Sequence, residues 1–490
     1  MSTNITCDIC VIGAGSGGLS VAAGAVQMGA SVVLIEKAKM GGDCLNTGCV
    51  PSKALLAAGH AANAARRADR FGIRTGEVSA EGAQVFAHVR EVIAGIEPHD
   101  SVERFEGLGV TVIQGEGHFT GPGTVEAIEA DGTQKKISAK KFVIATGSSA
   151  FVPPIDGLDG LGGPGGQSDS GVLTNENVFE LAEIPRHLIV VGGGPIGCEL
   201  AQAFRHLGAD VTVLEMFKIL PKDDPDLVRV VRNRLLEDGV VIHEGVRVVR
   251  AQGGPGAPEI VCEDGDGREH VIQGSHVLVA AGRRPNVMNL GLEHAGVDFS
   301  PKGIEVDGRL RTSNKRIFAI GDVIGGLQFT HVAGYHAGIV IRNALFKLPA
   351  KAKLDHVPWV TYTDPELAQT GLTEAQARET FGDSIRVLTW EFAENDRARA
   401  EKDTEGLVKV VTSSKGKILG AGIAGPHAGE LIQPWVLALE QGLKIGAMAS
   451  SIAPYPTLGE VSKRAAGSYY TPSLFSERTR KIVRFLLKYF

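Results

Sequence analysis

An α/β fold is what this sequence predicts, and three observations predict it. An apolar run, a glycine-rich turn, a small-residue helix and a second apolar run occur in that order twice, over residues 9–36 and 188–215. Each copy ends on a glutamate, 18 residues after its last glycine. Glycine supplies 64 of 490 residues, nearly twice the usual ~7%. Without a G-X-Y period this excludes a collagen-like chain and points to tight turns or close backbone–ligand approach.

The first copy runs Ile9–Ile12, Gly13-Ala-Gly15-Ser-Gly17-Gly18, a helix, then Ser31–Ile35 ending at Glu36. The second runs Leu188–Val191, Gly192-Gly-Gly194-Pro-Ile-Gly197, a helix, then Asp210–Leu214 ending at Glu215. Both fit G-x-G-x-x-G. The first glycine makes the tight turn, the second lets backbone approach a pyrophosphate, and the third packs helix on strand. The anion sits at the helix N-terminus, and the acid accepts from a ribose hydroxyl. One such motif is common structural punctuation; two in register predict two Rossmann-like dinucleotide-binding domains. Phe142–Gly147 and Val277–Gly282 each predict a buried strand closing its unit, which adds Thr146, Gly147 and Gly282 to the nucleotide-binding candidates. Glu215 would repel the 2′-phosphate of NADPH. Met216–Lys222 offers Lys218 and Lys222 but no arginine, so NADH is preferred at the second unit, with NADPH as the alternative.

At 490 residues the chain has room for three or four domains of about 100–200 residues. The predicted segments are 1–155, 156–282, 283–350 and 351–490, with Gly157–Gly171 as a surface linker. A net charge of −6 argues against a nucleic-acid binder. Ile9 to Ile35 carries no charge, but its glycines break it into strand, turn, helix and strand rather than a membrane span. The start MSTNITCDIC has no positive region and no cleavage site, so a reducing cytoplasm is expected.

Six cysteines are too few for a disulfide scaffold. Cys44 and Cys49 lie in Gly41-Gly-Asp-Cys-Leu-Asn-Thr-Gly-Cys-Val-Pro-Ser-Lys53, a glycine-framed pair at a helix start. That setting suggests a disulfide and lowers a thiol pKa. Zinc would need further ligands at spacings the chain lacks. Cys7 and Cys10 match C-x-x-C, but residues three apart on a strand point to opposite faces, so they read as core, as do Cys198 and Cys262.

The segment GGDCLNTGCVPSK resembles the redox signature of the class I pyridine nucleotide–disulfide oxidoreductases, which include dihydrolipoamide dehydrogenase, glutathione reductase and mercuric reductase. The resemblance extends through both glycine loops, Ala-Gly-Arg283-Arg-Pro285-Asn286, Phe318-Ala-Ile-Gly321-Asp322 and Gly425-Pro-His-Ala-Gly-Glu430-Leu-Ile432. It implies FAD on the first unit with Asp322 at the ribityl chain, a nicotinamide cofactor on the second, and a homodimer through a C-terminal α+β dimerisation domain. It also implies Cys49 as the thiol against the flavin, Cys44 as the thiol facing substrate, and Lys53 with Glu199 as an ion pair beside the flavin.

The pattern departs near the C-terminus. Disulfide-reducing members carry His-Pro-x-x-x-Glu, whereas this chain reads Tyr455-Pro-Thr-Leu-Gly-Glu460, and its last histidine is His427. A phenol with a pKa near ~10 is a poor base at neutral pH. Mercuric reductases place a tyrosine there, though they also carry a terminal cysteine pair that Val483–Phe490 lacks. The expected acceptor is therefore a small molecule or ion, either a metal ion such as Hg(II) or a disulfide. A subunit of a 2-oxo acid dehydrogenase complex and a flavin redox sensor stay as alternatives. His99, at Glu97-Pro-His99-Asp100-Ser101, is a candidate substitute base against the plainer reading of a solvated side chain at a proline kink. His331 and His336 read as packing or flavin-adjacent groups. In the tail, Arg480, Arg484 and Lys488 form a basic stripe on an amphipathic helix. The helix is expected to cover apolar surface on the dimer, with membrane-surface contact as the alternative.

Overall fold

The computed structural model describes residues 3–161, 172–254 and 256–490. Thr3–Ile12 is the central strand of the first sheet. Val32–Glu36 lies parallel on one side, with Ile9 opposite Val32, and Gln134–Ile144 parallel on the other, with Ile9 opposite Lys141. Thr111–Gly121 and Ile317–Ala319 extend the parallel order outward, and Thr124–Glu129 runs antiparallel between the long strands Thr111–Gly121 and Gln134–Ile144. Every residue of Val32–Glu36 is buried. That is why it reads as a continuous apolar run and not an alternating one.

The second sheet repeats the plan: Val241–Glu244, Asp210–Glu215, His187–Val191, His276–Val279 and Val172–Leu173, all parallel. A separate antiparallel sheet of Arg247–Gly254, Ala257–Glu263 and Glu269–Gln273 accompanies it. The third main sheet is antiparallel, in the order Trp359–Thr361, Glu366–Gly371, Ile418–Gly425, Leu407–Ser413 and Ile385–Glu391. Trp435, Val461 and Ala465, from helices Gln433–Glu440 and Glu460–Ser468, share its core. The α/β class with an α+β C-terminal part is thus what the chain adopts.

One core ties these parts together at the place that matters. Leu55 and Leu56 of the helix Cys49–Arg66 pack with Phe86 and Val89, with Phe204 of the helix Pro195–His206, with Leu188 and Val190 of the second sheet, and with Leu367 and Ala424 of the third. Each such buried side chain contributes about 1.5–3 kcal/mol, so the helix that begins at Cys49 is fixed by the second and third sheets together. A lysine anchors the same junction: Lys409, only 6% exposed, reaches Asp224 at 2.9 Å, Asp226 at 2.7 Å and Glu374 at 2.8 Å.

One expectation is corrected. The start of the surface linker is packed: Leu158 and Leu161 are buried against Ile189, Ala251 and Ile260, and a Cβ on Gly157 would lie 2.0 Å from the Ala251 carbonyl. Residues 162–171 of that linker lie outside the described residues. Cys7 and Cys10 are both buried as core residues of the first sheet, as expected. Burial raises the pKa of both, and of Cys198 and Cys262.

Candidate active site

The two glycine loops are built alike. Gly13 and Gly192 have φ of 103° and 114°, and a Cβ on either would lie 2.4 Å from the Ala145 carbonyl or 2.5 Å from that of Ala280. A Cβ on Gly18 would meet Gly13 O at 1.9 Å, and one on Gly197 would meet Gly192 O at 2.0 Å. Gly15 and Gly194, by contrast, face open space. They N-cap the helices Ser16–Gln27 and Pro195–His206, and neither helix has a side-chain cap or an acid in its first turn. The free N–H groups and the helix dipole suit a pyrophosphate. Glu36 accepts from Ala14 N at 2.6 Å and Ala38 N at 2.8 Å; Glu215 accepts from Gly193 N at 2.6 Å and Phe217 N at 2.8 Å. Each carboxylate is thereby fixed at the tip of its second strand. Gly147 and Gly282, with φ of 68° and 120°, turn the chain after the closing strands. The residues fit two bound dinucleotides.

The cysteines sit on the first loop. Gly41 N donates to Ala14 O at 3.0 Å, and a Cβ on Gly42 would come within 2.7 Å of Gly15 Cα, so only glycine lets the segments touch. Cys44 lies in the short helix Gly42–Asn46, and Cys49 opens the helix Cys49–Arg66. Both are free thiols in this structure, Cys44 half-buried and Cys49 exposed. Cys49 Sγ lies 3.5 Å from Thr330 Oγ1. The hydrogen bond from Cys44, that of Thr330 and the charge of Lys53 hold the Cys49 thiol below its ordinary pKa, and the same contact with Cys49 and burial push Cys44 up. Its position at a helix N-terminus favours the thiolate further. One cysteine of the pair is set to ionise and the other to stay protonated.

A polar lattice joins this loop to the Asp322 turn. Asp322 accepts from Ser148 Oγ at 2.6 Å; Arg283 donates to Ser148 Oγ at 2.8 Å and pairs with Asp43 at 2.9 Å. Asn175 binds Asp43 and the Thr47 carbonyl, both at 3.1 Å. Thr146 Oγ1 donates to the Asn286 carbonyl at 2.8 Å. Burial pushes the Asp322 carboxyl up.

Lys53 and Glu199 meet across the junction of helices at 2.7 Å. Glu199 spends its other oxygen on Tyr362 N at 2.9 Å, and the Lys53 ammonium lies 4.4 Å from the centre of the Tyr362 ring. A Cβ on Gly59 would approach the Ala203 carbonyl to 3.2 Å, which shows how closely the two helices cross.

Tyr455 and Glu460 stand apart from these residues in the single chain. Tyr455 is 71% exposed and donates to Asp396 at 3.0 Å, a contact that pushes the phenol pKa up; Glu460 begins the helix Glu460–Ser468. His99 gives its carbonyl to Arg104, while its neighbour Asp100 is the group facing the cysteine loop, with Oδ2 3.2 Å from where a Gly41 Cβ would stand. His331 binds the Pro358 carbonyl at 2.9 Å, and His336 is buried with Nδ1 accepting from Gly321 N at 3.3 Å. Thr330, Asn175, Ser148 and Asp396 carry no local sequence signal; their partners lie far along the chain. Among the described residues, no group of three or more His, Cys, Asp or Glu could hold a metal ion.

Residues 7–337 match the pyridine nucleotide-disulphide oxidoreductase family, and residues 357–466 match its dimerisation domain. A mercuric reductase of Bacillus cereus is 35% identical over 94% of this chain and 71% of its own length. A dihydrolipoyl dehydrogenase of Bacillus subtilis is 35% identical over 93% of this chain and 97% of its own. The Cu(II) complex of the HOCl-induced flavoprotein disulfide reductase RclA from Escherichia coli superposes with a TM-score of 0.84 at 27% identity, over 96% of this chain and 100% of that one.

Proposed function

We propose that this chain, which belongs to the pyridine nucleotide-disulphide oxidoreductase family, passes electrons from NADH by way of FAD and the Cys44–Cys49 pair to a small thiophilic metal ion such as Hg(II). Members of the family are flavin-dependent, bind FAD and use NAD(P)H. Bound FAD supplies a two-electron relay between the nicotinamide and the cysteine pair. In this reading Gly13, Gly15, Gly18, Glu36, Thr146, Gly147 and Asp322 hold FAD, and Gly192, Gly194, Gly197, Glu215 and Gly282 hold NADH. Lys53, pinned by Glu199, keeps positive charge near Cys49 and favours its thiolate. Cys44 presents the second sulfur to the acceptor. The chain works as a homodimer through residues 357–466, whose exposed Tyr455 and following Glu460 reach the partner's site.

The observation that carries the metal-ion reading is the state of Tyr455. Its hydroxyl is committed as a donor to Asp396, and the neighbouring carboxylate makes it still harder to deprotonate. Dithiol–disulfide exchange needs a thiolate attacker and hence a base. A soft cation is also held by two thiolates, but its binding itself displaces the thiol proton to water, so no fixed base is required. The test is anaerobic reduction of the FAD-loaded enzyme by NADH, followed by Hg(II), Cu(II), lipoamide, glutathione disulfide and quinones in turn. Reoxidation by the metal ions, slow with the disulfides and lost in Cys44→Ser and Cys49→Ser, supports the reading. Rapid lipoamide or glutathione turnover overturns it in favour of a disulfide acceptor.

A further inference from the structure

The helix Glu477–Tyr489 begins beyond residue 466, where the match to the family's dimerisation domain ends. None of its side chains is buried. At about 100° per residue, Glu477, Arg480, Lys481, Arg484 and Lys488 share one arc. Phe485, Tyr489, Ile482, Leu486, Val483 and Leu487 lie on the opposite arc of about 200°, with Arg478 near its edge and Thr479 between Leu486 and Val483. Leu474 and Phe475, 57% and 67% exposed, lead into this apolar face, and Phe490, 99% exposed, ends it.

The width of the arc decides what covers it. A helix packed on a protein face buries a stripe of roughly 100°, so a flat neighbour would leave about half of this face wet. Acyl chains close around a helix lying in a bilayer interface and cover the whole arc. The helix carries five basic side chains and one acidic, in a chain of net charge −6, so the cationic surface is local to the apolar one. No helix among the described residues is long and apolar enough to cross a membrane.

We propose that residues 471–490 form an amphipathic anchor that seats the enzyme on an anionic lipid surface, with the apolar arc among the acyl chains and Arg480, Lys481, Arg484 and Lys488 toward the headgroups. The test is sedimentation of the full-length, FAD-loaded protein with phosphatidylcholine vesicles, with and without phosphatidylglycerol. Binding only to the phosphatidylglycerol vesicles is expected. It should fall about fivefold for each basic residue lost across Arg480→Gln, Arg484→Gln and Lys488→Gln, and vanish in Phe485→Ser with Leu486→Ser. Flavin reduction by NADH and the mass of the particle should stay as in the unaltered protein. Failure of the unaltered protein to bind either vesicle overturns the proposal. A particle mass that drops on removal of residues 472–490, with no vesicle binding, would assign the face to a second copy of the chain instead.

Discussion

The first and second nucleotide units share one backbone design and differ in what lies on top of it. Their glycines have matching φ and matching close approaches, and their glutamates bind matching amides. The first loop is roofed: Gly41 and Gly42 press on Ala14 and Gly15, and a Cβ on Gly17 would meet Ile320 at 3.1 Å and Ala333 at 3.4 Å. At the second, Ile196 takes the place of Gly17 and is 37% exposed, with Met216 at 52% and Phe217 at 68%. A roofed cradle suits a resident cofactor, and an open one suits a cofactor that arrives and leaves with each turnover. The glycine pattern alone does not distinguish them; the segment packed against it does.

The largest expected effects come from breaking the two cradles in the same way. Gly18→Val and Gly197→Val each drive a side chain into a carbonyl that a Cβ alone would meet at 1.9 or 2.0 Å. Each should lower NADH oxidation by about 100-fold or more. Only the first should be purified without flavin absorbance; flavin loss from both, or from neither, breaks the comparison. Gly42→Ala tests the roof, because its Cβ would approach Gly15 Cα to 2.7 Å at a φ of 60°. Flavin affinity should fall about tenfold in a fluorescence release assay, with NADH affinity unchanged.

Glu215→Ala removes a repulsion from the 2′-phosphate, so the NADPH-to-NADH ratio of kcat/KM should rise about tenfold. Glu36→Ala should leave that ratio as it is. The smallest effect is electrostatic. A thiol is alkylated as its thiolate, so the rate rises with pH through the pKa. Lys53 holds the Cys49 pKa down, and Lys53→Met should therefore move the iodoacetamide profile of Cys49 upward by about one pH unit. An unmoved profile removes Lys53 from the account.

The parts of the site legible in the sequence are those with local spacing. Gly13, Gly15, Gly18 and Glu36, their counterparts, and the Cys44–Cys49 loop each sit on one short stretch where turn, helix start and strand end follow in order. The rest depends on contacts between distant residues. Thr330 reaches Cys49, and Arg283 links Asp43 to Ser148 and so to Asp322, through folding that brings three sheets together. His99 shows the limit of reading single residues: the proline kink is real, as the short turn Glu97–His99 shows, yet it directs Asp100 toward the cysteine loop. The packed turn Leu158–Leu161 was likewise hidden, because glycine-rich composition marks linkers and tight packing alike.

The central claim is that electrons leave through the cysteine pair. Anaerobic titration with NADH, followed by flavin absorbance, tests it most directly. The unaltered enzyme should take up twice as many reducing equivalents per subunit as Cys49→Ser, and show a long-wavelength thiolate–flavin band that the variant lacks. Equal uptake in the two proteins, with no band in either, would contradict it.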